Sequence, residues 1–154
     1  MCIDIKSVLE KCEEYTPLPG YYFCVMSNFY AFNNIENSEL KELVVDRLKQ
    51  NGNILYVGIG KDDVRVRAFN HVLGNSLNST LRKSLSVILK KDKQKLSEWI
   101  KSNIKILYIT CKTGKEAESA EDTYIEKLKP PLNLIPRGNN PRIEKIMEIL
   151  RNPK

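Results

Sequence analysis

Apolar residues along this chain fall into two kinds of run. In the first kind nearly every position is apolar or aromatic over five to seven residues, the pattern of a buried strand. Tyr21-Tyr22-Phe23-Cys24-Val25-Met26, Ile54-Leu55-Tyr56-Val57-Gly58 and Ile104-Lys105-Ile106-Leu107-Tyr108-Ile109-Thr110 are three such blocks. In the second kind apolar residues recur three and four apart, which places them on one face of a helix. Ile5, Val8, Leu9 and Cys12 predict a helix over 4–14 with Asp4 as its cap. Thr16-Pro17-Leu18-Pro19-Gly20 ends it and leads into extended chain. Asn33, Asn34 and Asn37 mark a loop, and Ser38 is expected to cap a helix over 39–50 that stops at Asn51-Gly52. Gly58 and Gly60 are expected to break the second strand into a tight turn.

Further helices are predicted from about Asp63 to Leu73, from near Ser79 through Leu89, over 94–102 and over 115–128, the last ended by Pro130-Pro131. Asn140-Pro141 reads as a cap and first helical position for a closing helix at 141–151, with Ile143, Ile146, Met147 and Leu150 on one face. Three strands separated by about six helices predict an α/β (α+β) fold. Its small three-stranded central sheet, antiparallel or mixed, is flanked by helices. At 154 residues, with no repeat and no linker, the chain is expected to form one domain.

Charge narrows the partners. Twenty-five Lys and Arg against 19 Asp and Glu leave a net charge of +6, which favours a polyanion, most commonly nucleic acid. The four cysteines, Cys2, Cys12, Cys24 and Cys111, form no C-x-x-C pair, which argues against a zinc knuckle. Free thiols in apolar runs suit a reducing cytoplasm. Met1-Cys2-Ile3-Asp4-Ile5-Lys6 lacks the layout of a signal peptide, and no apolar run is long enough to span a bilayer. A cytoplasmic protein without a membrane partner is expected.

A few side chains stand out against these patterns. Glu121 lies mid-stripe on an apolar helix face, between Ala117 and Tyr124, Ile125 and Leu128. A carboxylate there needs a basic partner or a metal ion, unless it sits at the rim of the stripe. Arg67 and His71, the only histidine, are four apart and share a helix face on which they could grip one phosphate. Val66, Phe69 and Leu73 opposite them are the expected core face. Tyr22 and Tyr56 sit in strands near glycines, where packing with a hydroxyl at a wet edge is the ordinary role. Asn133 follows the double proline, where an asparagine usually bonds its own turn.

Taken together these residues resemble the GIY-YIG nucleases. Gly20-Tyr21-Tyr22 resembles the G-I-Y element, and Tyr56-Val57-Gly58 the Y-I-G element. The family's arginine about ten residues later is matched by Arg67, and the histidine many members add one turn on by His71. Its metal-binding glutamate and later asparagine are matched by Glu121 and Asn133, twelve residues apart. The match spans residues 20–134, with 27–53 as an insertion that sets Tyr22 and Tyr56 34 residues apart. Some members place a lysine directly after Y-I-G; here that position is Ile59, and Lys61 is the nearest lysine.

The resemblance implies a metal-dependent DNA endonuclease, restriction-like or acting in repair on particular structures. Glu121 would hold a Mg²⁺ or Mn²⁺ ion, and Arg67 would clamp the phosphate. Tyr22 or Tyr56 would serve as general base, its pKa lowered by Lys61, Arg67 or the metal, with His71 assisting and Asn133 shaping the site. Lys61, Arg65, Arg82, Lys83 and Arg137 are candidates for flanking phosphates. DNA is the expected partner, and residues 27–53 and 141–151 are candidates for reading the substrate or for forming a homodimer. The competing expectation is a nuclease fold that binds nucleic acid without turnover.

Overall fold

The computed structural model of the chain describes residues 16–74, 80–134 and 143–152. The helix expected at 4–14 and the Asn140-Pro141 cap lie outside them. In chain order the elements are β1 (Gly20–Met26), a 3-10 turn (Phe29–Phe32), α1 (Ser38–Asn51), β2 (Ile54–Gly60) and α2 (Val64–Val72). Then come α3 (Thr80–Leu89), α4 (Lys93–Asn103), β3 (Ile104–Thr110), α5 (Gly114–Leu128), α6 (Pro131–Leu134) and α7 (Ile143–Arg151).

Each dense apolar block became a strand. The sheet order is β2-β1-β3, and both outer strands run antiparallel to β1, so no mixed pairing occurs. Three helices between β2 and β3 carry the chain across to the far side of β1. Tyr22 stands opposite Gly58 on one side and Tyr108 on the other. A bulge at the Cys24/Val25 step leaves Leu55 without an opposite residue. β2 does not break at Gly58, as the sequence led us to expect; it continues to Gly60.

Strand alternation divides the sheet into two faces. Tyr22, Cys24 and Met26 are buried with the inner faces of α2 (Val64, Ala68, Val72), α3 (Leu81, Leu85, Ile88) and α4 (Leu96, Ile100). On the opposite face the rings of Tyr21 and Phe23 meet Tyr124 of α5, with centroids 5.5 and 5.1 Å apart. Leu40, Val44 and Leu48 of α1 and Ile146 and Leu150 of α7 complete the core. Burial of a leucine of this kind contributes about 2 kcal/mol.

Local chemistry fixes where the helices begin. Asn37, not Ser38, caps α1, its Oδ1 accepting from the Leu40 amide at 3.0 Å. Both residue types cap well, and the choice moves the start by one position. Gly52, at φ 76°, ends that helix in the left-handed region. Asp63 caps α2 through the Val66 amide at 3.3 Å, and Thr113 caps α5 through the Glu116 amide at 3.2 Å. These two caps set the register of the helices that carry Arg67 and Glu121.

Candidate active site

The centre of the candidate site is a packed triangle of rings. Tyr22 from β1, Tyr56 from β2 and His71 from α2 have centroid separations of 6.2, 5.5 and 6.3 Å. Tyr22 is 1% exposed and His71 4%. The Tyr22 hydroxyl lies 2.6 Å from Nδ1 of His71. With the phenol protonated, it donates and Nδ1 accepts, which leaves any imidazole proton on Nε2.

This placement corrects one expectation. His71 does not sit on an outer helix face; the buried side of α2 is Val64, Ala68, His71 and Val72. Val66, Phe69 and Leu73 are only partly buried. The bond to Tyr22 satisfies the polar ring atom that burial would otherwise penalise.

Charge links the remaining residues to the same hydroxyl. Burial raises the Tyr22 pKa far above its ordinary 10.0; the positive charge of Arg67 lowers it and the negative charge of Glu121 raises it, both weakly. Next to burial, the nearby Tyr56 and Cys24 also raise it, ahead of either charge. A lowered pKa was expected at one of Tyr22 and Tyr56; at Tyr22 burial overrides Arg67. The consequence is measurable. Unfolded Tyr22 loses its proton near 10.0 while folded Tyr22 keeps it, so its contribution to stability is lost as pH rises above that value. One unit above 10.0, the stability gap between the parent and Tyr22→Phe should narrow by about 1.4 kcal/mol relative to neutral pH. Parallel denaturation curves for the two proteins at every pH would contradict the burial argument.

Asn133 holds the strand that carries Tyr56. Its Oδ1 accepts from the Val57 amide at 2.7 Å, and its Nδ2 donates to the Val57 carbonyl at 2.8 Å. The side chain thus acts as a short extra strand along the outer edge of β2, one residue from Tyr56. It bonds a residue 76 positions away and not its own turn. Asn133→Ala should destabilise the fold by about 2 kcal/mol by stripping both partners from Val57. Asn133→Asp should not restore stability, because a carboxylate cannot donate to the Val57 carbonyl. Urea denaturation measures both.

The flanking cations divide. Lys61 pairs with Glu118 on the first half of α5 at 2.6 Å, both side chains well exposed. It lines an open cleft of about 440 Å³ together with Ile59, Gly60, Asp62, Asp63, Val66, Arg67 and Asn70. Arg65 donates to the Thr16 carbonyl at 3.1 Å, and Lys83 is exposed on α3. Arg82 is a correction. It is 6% exposed, and its guanidinium donates to the Val72 carbonyl (2.9 Å), the Lys93 carbonyl (3.3 Å) and Ser97 Oγ (2.7 Å). It fastens α2, α3 and α4 together and is turned away from any phosphate. Arg137 lies outside the described residues.

Two contributors carry no clear mark in the sequence. Asn51 bonds both backbone groups of Ile54 and donates to the Leu128 carbonyl, tying the end of α1 to β2 and to the end of α5. The Tyr21, Phe23 and Tyr124 cluster seats α5 on the sheet three residues beyond Glu121. Only the side-chain alternation of β1 hinted at the second.

Elements in this order, with two strand tyrosines meeting beside an arginine helix and a glutamate helix, have a family counterpart. The GIY-YIG catalytic domain matches residues 20–153. The chain belongs to the GIY-YIG family. No curated protein and no solved structure matched it. Membership brings nuclease chemistry in general. Sterics account for the glycine of the second element, because a Cβ on Gly58 would stand 2.4 Å from Cζ of Tyr22. The two motifs of this GIY-YIG domain thus interlock, ring against glycine.

Among the described residues no group of three or more His, Cys, Asp or Glu gathers to hold an ion. Glu121 is a single carboxylate, and Glu118 one turn earlier is engaged by Lys61. That donor set fits a hydrated magnesium ion, which takes one or two carboxylates and keeps its waters, and does not fit a zinc or calcium cage. No helix among the described residues is long and apolar enough to cross a membrane.

Proposed function

We propose that this GIY-YIG protein is a divalent-metal-dependent endonuclease that hydrolyses phosphodiester bonds in DNA, either at restriction-like sites or at particular DNA structures. The observation that carries this reading is the Tyr22–His71 hydrogen bond within the triangle of Tyr22, Tyr56 and His71, on strands against which the Arg67 helix and the Glu121 helix both pack. Phosphodiester hydrolysis needs a cation on the phosphate, a proton acceptor for water and support for the leaving oxygen. Arg67 supplies the guanidinium, facing the open cleft it lines. Glu121 would hold the Mg²⁺ or Mn²⁺ ion, which when bound supplies Lewis-acid stabilisation of phosphate charge.

The Tyr22–His71 bond explains how a phenol with a raised pKa takes part. The hydroxyl passes its own proton to Nδ1 as it accepts one from the attacking water, so no free phenolate need accumulate. The new bond forms between water oxygen and phosphorus, the bond to the leaving oxygen breaks, and that oxygen takes a proton from solvent. Tyr56 packs on both rings and, with Asn133 behind its strand, holds them in line. Lys61 and Arg65 contact flanking phosphates. The free, buried Cys24 supports a reducing, cytoplasmic setting.

The test is incubation of the purified chain with supercoiled plasmid, branched and single-stranded DNA, with Mg²⁺ or Mn²⁺ and with a chelator. Metal-dependent nicking is expected. Arg67→Ala should slow it by about 10²-fold, and Arg67→Lys should not restore it, because an ammonium lacks the planar fork. Absence of cutting with every metal, together with salt-sensitive binding, would replace the nuclease by a binding module.

A further inference from the structure

The two outer strands of the sheet are finished differently. β2 is closed: Asn133 takes both outward groups of Val57, and α5 and α6 lie against that strand. β3 ends the sheet on the other side, and among the described residues no strand pairs beyond it. Three consecutive large apolar residues there face solvent: Leu107 is 56% exposed, Tyr108 42% and Ile109 43%. A long, open, apolar edge of this kind is a template for another strand.

The register defines which backbone groups are offered. Because Val57 points its groups outward, the Phe23–Val57 pair is not hydrogen-bonded, and Phe23 must turn its groups to Leu107. The Cys111 amide, two positions past Ile109, likewise turns inward to the Pro19 carbonyl. The outward groups of β3 are therefore those of Ile104, Ile106, Tyr108 and Thr110.

We propose that β3 pairs antiparallel with β3 of a second copy of this chain, about a two-fold axis at Leu107. Leu107 is the middle residue of Ile104–Thr110, so this register uses the whole strand. It sets Ile106 opposite Tyr108 of the second copy, and both offer outward groups, so the bonding pattern closes. Lys105, the one charged residue of the strand, falls opposite Ile109 of the second copy and not opposite its own equivalent. No like charges meet, and the strand is complementary to itself, as a two-fold interface requires. The result is a continuous six-stranded sheet with Leu107 against Leu107 at its centre. The inference does not depend on the nuclease reading.

Light scattering or sedimentation of the full chain from low to high micromolar concentration tests it. The mass should rise from 17.8 kDa towards twice that value. Leu107→Lys places two ammonium groups face to face and should hold the chain monomeric, with an unchanged circular dichroism spectrum. Under oxidised glutathione, Leu107→Cys should give a dimer bridged between the two introduced thiols, because Cα atoms in such a pair stand about 4.5 Å apart, within disulfide reach. Ile109→Cys should not, since its Cα lies roughly 14 Å from its equivalent in this register. Mass mapping of linked peptides separates these bridges from any made by the native cysteines. A monomer at every concentration, a dimer that survives Leu107→Lys, or equal linkage at both positions would overturn the proposal.

Discussion

Glu121→Gln is expected to lower DNA cleavage on the order of 10³-fold while the fold survives. Glutamine keeps the shape of the side chain and removes its charge. The position lies on α5 between the buried Ala117 and Tyr124, which stacks on the sheet, so the stripe that seats the helix is unchanged. The lost charge matters because Glu121 is the carboxylate that would hold the metal ion. The helix that carries Glu121 packs on both β1 and β2, whereas Glu118, one turn earlier, is held by Lys61. A neutral amide is a poor ligand for a hydrated magnesium ion, and raising the metal concentration should not restore the rate. DNA binding without metal should be equal or tighter, because one negative charge facing the phosphate has gone. Single-turnover cleavage, gel shift and thermal melting on the same preparation separate these effects. A variant that cuts within a few-fold of the parent at equal stability would remove Glu121 from the metal site.

Much of the frame could be read from residues close together in the chain. The three strands were legible because five to seven dense apolar residues, bounded by Gly, Pro or Asn, leave few alternatives. The helices were legible from their periodicity and, at Asn51-Gly52 and Pro130-Pro131, from end chemistry. What failed depends on which of two surfaces wins. α2 carries two apolar stripes, Val64–Ala68–Val72 and Val66–Phe69–Leu73, and the larger side chains of the latter give it the character of a core face. The structure buries the former because small Ala68 lets the helix approach the sheet, and His71 comes inward with it. Nothing within a helical turn could announce that the partner of His71 is a tyrosine 49 residues earlier.

Arg82 failed for a related reason. It adjoins Leu81 at the margin of a strongly amphipathic helix, a position that normally reaches solvent. Its acceptors are carbonyls of Val72 and Lys93, which only the packing of three helices brings together. Asn133 misled in the opposite direction: a local turn is the usual use of an asparagine after prolines, and the long-range pairing with Val57 overrides it. Tyr22, Tyr56, Arg67, Glu121 and Asn133 were singled out through motif order; the contacts each makes required the fold.

Gly58→Ala is expected to destabilise the protein by about 3 kcal/mol, lowering Tm by roughly 10 °C. The reason is not backbone freedom. Among the described glycines only Gly52 has a positive φ, so alanine could adopt the Gly58 backbone without strain. The obstacle is the neighbouring strand: the new Cβ would lie 2.4 Å from Cζ, 2.5 Å from Oη and 2.7 Å from Cε1 of Tyr22. That ring is fully buried and fastened to His71, so it cannot swing aside without losing its bond or parting β1 from β2. A double-mutant cycle isolates this contact. Leucine at 22 lacks the three offending atoms, so Gly58→Ala in a Tyr22→Leu background should cost less than about 1 kcal/mol. If the full penalty persists there, the glycine serves the strand itself and not the tyrosine. If the penalty vanishes, the glycine of one motif is present because the tyrosine of the other needs its space. Cleavage by Gly58→Ala should then fall further than its stability, since the same displacement pulls the Tyr22 hydroxyl from Nδ1.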